Sequence, residues 1–471
     1  MIPFALDPRS TAGAWALEGA GLVWLGFRQA RRLARGFGYA LLLLAGVSMG
    51  VAMQHQGALV QLANPVLFNA LLAGAASLAA ALFVRRHGVD PIEARAEPVL
   101  IAWALLWLIG AAALHIDTLV SERHAGAAWL GVASALALGC TALALRLDWP
   151  RIAQVAIGHA PVMLLVVAAP ASVYDGPWRG GGGWGWPVAL ATHLALLAWA
   201  APRWPVGARA PVHVAGVMVL AILGALSGRA LTAGWGEPAS AWPWLGWMAV
   251  PALLLMLLPR PAVARHWPVR AAPRAYRGVG AGLLAAGALL WSVVANFGSD
   301  GDARPLPHLP LLNPLDLGVG IALLGAALWL RSAAARELLT DRAARIATAA
   351  LAAAGFVWLN AILVRAFHHY AGVPYRLHAW TASLAVQTGL TLLWSATALA
   401  LMWFAARRAA RVPWGVGAAL LAAVVVKLMA VDLAGSGSVT RIVSFIGVGA
   451  LMLVIGYVAP PPPREATHAV A

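Results

Sequence analysis

The chain has 471 residues, of which 62% are hydrophobic and only 11% carry a charge. Soluble domains carry about 25% charged residues, so this composition excludes an ordinary soluble protein and is typical of a membrane protein. The net charge of +16 would suggest nucleic acid as the partner of a soluble protein. Here the arginines fall in short segments between apolar runs, so membrane topology explains them and the expected partner is the lipid bilayer, not nucleic acid.

Apolar runs that could cross a bilayer, for which about 20 residues are needed, occupy most of the chain. They predict an all-α fold, a polytopic bundle of about fifteen transmembrane helices that forms one domain over residues 1–459. The proline-rich end, residues 460–471, is predicted to be a disordered cytoplasmic tail. The predicted spans lie near 12–27, 36–53, 66–84, 98–115, 126–145, 152–170, 187–201, 211–228, 242–258, 278–297, 315–331, 345–366, 381–405, 414–432 and 439–459.

The arginines alternate from one inter-span segment to the next. One set of segments holds 24 of the 33 basic residues, among them Arg28, Arg31, Arg32 and Arg35 in the first segment. The positive-inside rule assigns this set to the cytoplasm. The N-terminus is then outside, the C-terminus is cytoplasmic, and the number of spans is odd.

The segments predicted to lie outside are rich in histidine, glycine and proline. Residues 171–186 read ASVYDGPWRGGGGWGW, in which the glycines predict a flexible loop and the tryptophans favour the membrane interface. Residues 298–314 read GSDGDARPLPHLPLLNP, in which the prolines predict an extended chain rather than a helix. Asp300, Gly301 and Asp302 resemble a metal-binding DxD motif, but a solvated turn is the better interpretation.

Polar residues inside the predicted spans concentrate in the half of the membrane predicted to face outward. Ionisable residues at such depth are costly and are often functional, although charges at helix ends also reach the interface or pair to fasten a bundle. We therefore predict a polar site that faces the periplasm, centred on Glu18, Arg365, Lys427, Asp432 and Arg441. The full candidate set is Glu18, His193, Asn360, Arg365, His368, His369, Gln387, Lys427, Asp432 and Arg441.

The histidines could carry chemistry of their own. Arg365 and His369 are four residues apart on one helix, so they and His368 can lie together at its outer end. With His378 this gives a zinc hypothesis, but the spacing fits no standard motif and the only cysteine, Cys140, lies in an apolar run. No metal and no cofactor is expected. His159 lies in mid-span and could relay protons, or it is a hydrogen-bonded core histidine beside a kink at Pro161.

Four stretches of the chain carry a resemblance to a known family. They are WALEGAGLVWLGFRQARRLAR at 15–35, LPHLPLLNPLDL at 306–317, FVWLNAILVRAFHHYAGVPY at 356–375, and KLMAVDLAGSGSVTRIVSFIGVGALMLVIGY at 427–457. On these stretches the chain resembles the bacterial membrane-protein family known as domain of unknown function 2339. The resemblance implies a multi-helix inner-membrane protein and supplies no activity, substrate or catalytic residue.

Two classes of function follow from the residues. The first is a transporter or flippase-like component, in which the polar site contacts a solute or a lipid head group. The second is an envelope enzyme or an accessory or scaffold subunit, in which the outer loops act on a lipid-linked glycan or bind an envelope protein. The transporter class predicts an inverted or parallel repeat of helices, the enzyme class predicts a cleft at the outer leaflet, and a scaffold predicts fully paired charges and no cavity.

Overall fold

The computed structural model describes residues 8–54, 62, 64–88 and 90–428. Over these residues the fold is all-helical and contains no strand, as the sequence predicts. The chain divides into two compact units. Unit 1 takes in Met1–Ser227 and Leu257–Gly282, and unit 2 takes in Gly228–Met256 and Leu283–Ala471.

Helices overlap each of the first fourteen predicted spans. The first seven are α1 (Pro8–Arg28), α2 (Arg32–Gln54), α3 (Pro65–His87), α4 (Ala96–Leu119), α5 (Glu122–Arg146), α6 (Pro150–Ala168) and α7 (Gly182–Trp199). The other seven are α8 (Val206–Thr232), α9 (Trp242–Leu257), α10 (Ala281–Gly298), α11 (Pro314–Leu330), α12 (Asp341–Ala371), α13 (Leu384–Arg407) and α14 (Arg411–Lys427). The predicted span 439–459 and the tail 460–471 lie outside the described residues.

Nine helices in the described ranges are long and apolar enough to cross a membrane. Two shorter apolar helices, α9 and α11, accompany them. The number of long apolar helices fits a membrane protein. The total of about fifteen spans, the orientation of the termini and the single domain over residues 1–459 stay predictions.

Local sequence signals explain where several helices begin and end. Asn64 caps α3, because its side-chain oxygen accepts hydrogen bonds from Val66 N at 2.9 Å and Leu67 N at 3.1 Å. Pro65 follows at the first helical position, where a missing N–H costs no hydrogen bond. Further along the chain, Gly372 directly follows the last residue of α12, and its φ of 69° is a conformation that favours glycine.

Small residues bring helices of unit 2 into close contact. Gly228 on α8 and Gly246 on α9 face each other, and a Cβ atom at either position would overlap the backbone of the other. Such close approach of two helix backbones is the packing that small residues permit in membrane proteins. The same unit has an apolar core around Leu315, Val319 and Ala295, against which Trp244 and Trp358 pack.

Replacing Gly246 by alanine should destabilise unit 2. The added methyl group would meet the Gly228 carbonyl and the Thr232 hydroxyl, so the crossing must widen at a cost of about 1–3 kcal/mol. The measurement is thermal unfolding in detergent followed by size-exclusion chromatography. Gly287→Ala is the matched control, because nothing lies within 4 Å of its added methyl group. If Gly246→Ala unfolds at as high a temperature as Gly287→Ala, the close packing of α8 against α9 would be contradicted.

Candidate functional site

The carboxylate that contacts Arg365 lies in the first turn of α11. In the sequence Asn-Pro-Leu-Asp, Asn313 caps the helix by accepting a hydrogen bond from Asp316 N at 2.9 Å. The Asp316 carboxylate points back and accepts from Leu311 N at 3.1 Å and from the Asn313 side-chain amide. This variant of the capping box fixes the carboxylate at the end of an apolar helix, in the first turn where the helix dipole favours negative charge.

Arg365 on α12 forms an ion pair with this carboxylate. The Arg365 side chain is 0% exposed and the Asp316 side chain 1% exposed, so the pair is fully removed from solvent. Arg365 Nη1 also donates to Asn296 Oδ1 at 3.1 Å, and Trp358 Nε1 donates to Asp316 Oδ1 at 2.8 Å. Trp358 and Arg365 are seven residues apart on α12, so they share the face that meets α11.

The hydrogen bonds make this buried pair tolerable. Burying two charges costs several kcal/mol each, and the mutual attraction offsets this only when the remaining donors and acceptors are satisfied. Asp316 receives hydrogen bonds from Arg365, Trp358, Asn313 and Leu311. Arg365 Nε alone has no partner among the described residues. The arrangement therefore holds a charge pair that is closed to solvent.

The segment 299–313 covers the arginine. Gly301 lies directly over it with a φ of +75°, and a Cβ atom there would come within 2.8 Å of Arg365 Cδ. Asp300 and Asp302 form successive turns through their own side chains, since Asp302 N donates to Asp300 Oδ1 at 3.1 Å and Arg304 N donates to Asp302 Oδ1 at 3.1 Å. The Asp-Gly-Asp sequence thus builds a turn, as expected.

Histidines hold this segment to the end of α12. His369 Nε2 and the Asp300 carbonyl are hydrogen-bonded at 3.0 Å, and the His369 ring stacks on His308 with centroids 3.8 Å apart. His368 lies 3.5 Å from the Asp300 carboxylate. Burial, together with the neighbouring His369, lowers the pKa of the His308 ring. Within the described residues no group of three or more His, Cys, Asp or Glu side chains could hold a metal ion.

Three of the other candidate residues form separate polar contacts in unit 2. Asn360 Oδ1 accepts from Trp394 Nε1 at 2.6 Å. Lys427 Nζ donates to the Gln387 carbonyl at 3.1 Å and to Thr391 Oγ1 at 2.8 Å.

The remaining candidates lie elsewhere. Glu18 is exposed on α1, and His193 is buried on α7, so both belong to unit 1. Asp432 and Arg441 lie outside the described residues. Arg365, His368 and His369 lie near one end of α12 beside the segment 299–313, and the convergence of the full candidate set stays a prediction.

Sequence reasoning missed the partners of Arg365. Asp316 and Asn296 are each 1% exposed, yet neither was among the candidates. The signal for Asp316 was the Asn-Pro-Leu-Asp cap at the start of an apolar run, which orients a carboxylate inward. Asn296 offered only a polar residue near the end of a span, which does not reveal which helix it faces.

A cavity of about 500 Å³ lies in unit 1 between α5, α6 and the start of α7. Its wall is apolar and includes Trp129, Leu130, Val162, Val166 and Trp186. Instead of the flexible loop expected for 171–186, the chain forms a π-helical turn at Ala171–Asp175 and begins α7 at Gly182. The glycines allow close packing here, because a Cβ atom at Gly180, whose φ is +55°, would overlap the Arg123 carbonyl.

Charged side chains surround the mouth of this cavity. Glu122, Arg123, Asp175 and Arg179 line both the cavity and a polar recess beside it. All four are exposed, and in the described part of the chain none makes a side-chain hydrogen bond or ion pair. The arrangement offers two guanidinium groups and two carboxylates above an apolar chamber.

The comparison with known families identifies the chain. Residues 1–462 match the model of the family described as Predicted membrane protein (DUF2339). The chain belongs to the DUF2339 family. No curated protein and no solved structure matches it. Family membership confirms the resemblance seen in the sequence and describes a membrane protein of unknown function.

Breaking the buried pair of this DUF2339 protein should be strongly destabilising. Asp316→Ala or Arg365→Met would leave one charge buried without its partner, at a cost of about 3–5 kcal/mol in unfolding free energy. The double variant Arg365→Met/Asp316→Ala should lose less than either single variant. The measurement is unfolding in mixed micelles, with Arg342→Gln, at an exposed position near the start of α12, as control. Additive losses in the double variant would contradict the pairing.

The Asp302 turn predicts a pH dependence. Hydrogen bonds from the Arg304 guanidinium lower the pKa of the Asp302 carboxyl below its ordinary value. The resulting stability is fully present above that ordinary value and is lost as the pH falls through the lowered pKa. Wild type should therefore exceed Asp302→Asn in unfolding temperature by a small constant amount down to about pH 5, and the difference should vanish in stronger acid.

The control for this pH series is Asp117→Asn, which removes an exposed carboxylate that makes no side-chain contact in the described residues. Its difference from wild type should not change over the same range. A difference for Asp302→Asn that grows in acid would reverse the sign of the effect and contradict the assigned contact.

Proposed function

We propose that this protein is a flippase-like component of the bacterial inner membrane that binds a phospholipid from the outer leaflet. The observation that carries the proposal is the cavity of about 500 Å³ in unit 1, with its apolar wall and charged mouth. An acyl chain fits the wall formed by Trp129, Leu130 and Val166. The polar head group then lies among the four charged side chains at the mouth.

The charges at the mouth favour one class of head group. Arg123 and Arg179 present guanidinium groups, which bind phosphate well. Glu122 and Asp175 present carboxylates, which attract an ammonium group. Because the four charges sum to zero, they complement a zwitterionic head group that carries both phosphate and ammonium, such as that of phosphatidylethanolamine.

The arginine distribution supports the orientation in this proposal. The mouth lies at the Glu122 end of α5, and the arginine-poor segments 116–125 and 171–186 meet there. The positive-inside rule assigns such segments to the periplasm, which is the side of the outer leaflet. By the same rule, we propose that the whole chain has about fifteen spans, with the N-terminus outside and the C-terminus in the cytoplasm.

For the Arg365 cluster we propose an architectural role rather than a substrate site. Its charges are paired, Asp316 accepts four hydrogen bonds, and Gly301 closes over it. This supports the scaffold alternative for that part of unit 2. The wider polar site of Glu18, Lys427, Asp432 and Arg441 stays a prediction, as do envelope proteins or a lipid-linked glycan as partners.

Lipid retention by the purified protein tests the proposal. Native mass spectrometry of the protein extracted from mixed vesicles should show phosphatidylethanolamine bound in preference to phosphatidylglycerol. Arg123→Gln and Arg179→Gln should each weaken retention about tenfold, since a hydrogen bond to a charged group contributes about 1.5–3 kcal/mol. Arg146→Gln, at the other end of α5, is the matched charge control and should retain lipid like wild type.

A second pair of variants tests the apolar chamber. Ala125→Trp fills the cavity, whereas Ala142→Trp adds the same side chain to an exposed position of the same helix. Only the first should abolish retention. Equal retention in all variants, or a preference for phosphatidylglycerol, would contradict a phospholipid site with this head group. Conversion of a lipid-linked glycan by the purified protein would favour the envelope enzyme instead.

A further inference from the structure

Below the cavity, unit 1 contains a row of buried polar side chains. Ser134 on α5 and His159 on α6 are hydrogen-bonded at 3.2 Å. The rings of His159 and His193 lie nearly parallel with centroids 6.4 Å apart. His213 on α8 and the Tyr276 hydroxyl are hydrogen-bonded at 3.0 Å, which brings the row to the segment Arg274–Gly280.

His193 connects the two halves of this row. Its ring lies beside that of His159, and its Nε2 atom lies beside the face of α8 that carries His213. Its Nε2 atom packs against Gly216, where a Cβ atom would overlap it. Gly216 and His213 are three residues apart and share one face of α8, so the absence of a side chain at Gly216 lets His193 approach that face.

The hydrogen bonds define the protonation of His159. The Ser134 hydroxyl donates to the Leu130 carbonyl at 2.7 Å, so its oxygen accepts from His159 Nε2–H. His159 Nδ1 is then a bare acceptor, and it is buried with no partner in the described residues. His193 Nε2 is likewise buried without one. Two neighbouring buried imidazoles thus each have a ring nitrogen without a hydrogen-bond partner among the described residues.

The row lies directly under the cavity on three helices. Leu130 in the cavity wall is one turn from Ser134 on α5, and Val162 is one turn from His159 on α6. Trp186 is seven residues before His193 and on the same face of α7. About one helical turn, roughly 5 Å, therefore separates the cavity wall from Ser134 and His159, and about two turns separate Trp186 from His193.

Within the described residues, His159, His193 and His213 form no ion pair with a carboxylate. Tyr276, from the segment packed against α8, is the remaining titratable group in contact with the row. Histidine chains inside membrane proteins serve as proton relays in pumps and transporters.

We propose that Ser134, His159, His193, His213 and Tyr276 form a proton path that links the floor of the cavity to the end of unit 1 at Tyr276. A proton taken up at the bare Nδ1 of His159 makes that ring cationic, and transfer of the same proton to a bare ring nitrogen of His193 returns His159 to its neutral form. The His193 ring then passes the proton of its other nitrogen toward His213.

The path gives the proposed lipid step a source of energy, and this part of the inference rests on the proposed function. The row extends from the middle of α5 and α6 to His213, near the start of α8, on the side that the arginines assign to the cytoplasm. Proton entry from the cavity would then be controlled by the apolar layer of Leu130, Val162 and Trp186, which the bound acyl chain contacts.

Proteoliposomes loaded with a pH-sensitive dye test the path. After an imposed pH gradient, wild type should carry protons faster than empty liposomes, and His193→Phe should lower that flux at least tenfold. His266→Phe, an exposed histidine of unit 1, is the matched control and should leave the flux unchanged. The same vesicles carry a fluorescent phosphatidylethanolamine, whose movement between leaflets is measured in parallel with and without the gradient.

The two readouts separate the two proposals. The proton path would be overturned if the proton flux of wild type equals that of empty liposomes and lipid movement does not depend on the pH gradient. The lipid function would not be contradicted by that result. Proton flux that depends on His193 without lipid movement would support the path and overturn the lipid function. If His193→Phe does not fold by size-exclusion chromatography, His159→Gln and His213→Gln replace it, and unchanged flux in both would overturn the path.

Discussion

The ion pair between Arg365 and Asp316 is the interaction on which the organisation of its surroundings in unit 2 depends. Because both side chains are removed from solvent, the neighbouring elements must either form hydrogen bonds with the pair or shield it from water. The start of α11 turns the carboxylate inward, α10 contributes Asn296, and α12 contributes Trp358 beside the arginine. The segment 299–313 then has to fold over the pair, which requires glycine at 301. Polar chemistry, not apolar packing alone, therefore fixes the register of these helices.

Hydropathy was sufficient to predict the helices, because a long apolar run has no stable alternative to a helix in a bilayer. It also placed Arg365, His368 and His369 together, since their spacing lies within one helix. It could not supply Asp316 or Asn296, which are distant in sequence and meet Arg365 only through tertiary packing. Likewise, the glycine-rich stretch 171–186 was predicted to be a flexible loop, whereas Gly180 and Gly182 allow a tight approach to neighbouring backbone. Composition shows that glycine is present, but it does not show whether the glycine makes the backbone flexible or allows close packing.

The Arg365 site of unit 2 and the His193 row of unit 1 use buried polarity differently. At Arg365 opposite charges meet in an ion pair. Around His193 the buried groups are imidazoles and hydroxyls, and two of the ring nitrogens have no partner in the described residues. Above them lies an apolar chamber whose rim charges make no contact with one another. A closed pair resists change, whereas groups with free hydrogen-bonding capacity can respond to a ligand or a proton, so the physical case for activity is stronger in unit 1.

The length of α12 has a consequence for how the protein is positioned in the bilayer. The helix has 31 residues, which gives it a length of about 46 Å, whereas the hydrocarbon core is about 30 Å thick. It begins with Asp341 and Arg342 and ends with His368 and His369, so both ends are polar. A slide of one turn along its axis would keep apolar side chains in the lipid. The bilayer therefore leaves the height of α12 undetermined, and the contact of Arg365 with α11 sets it.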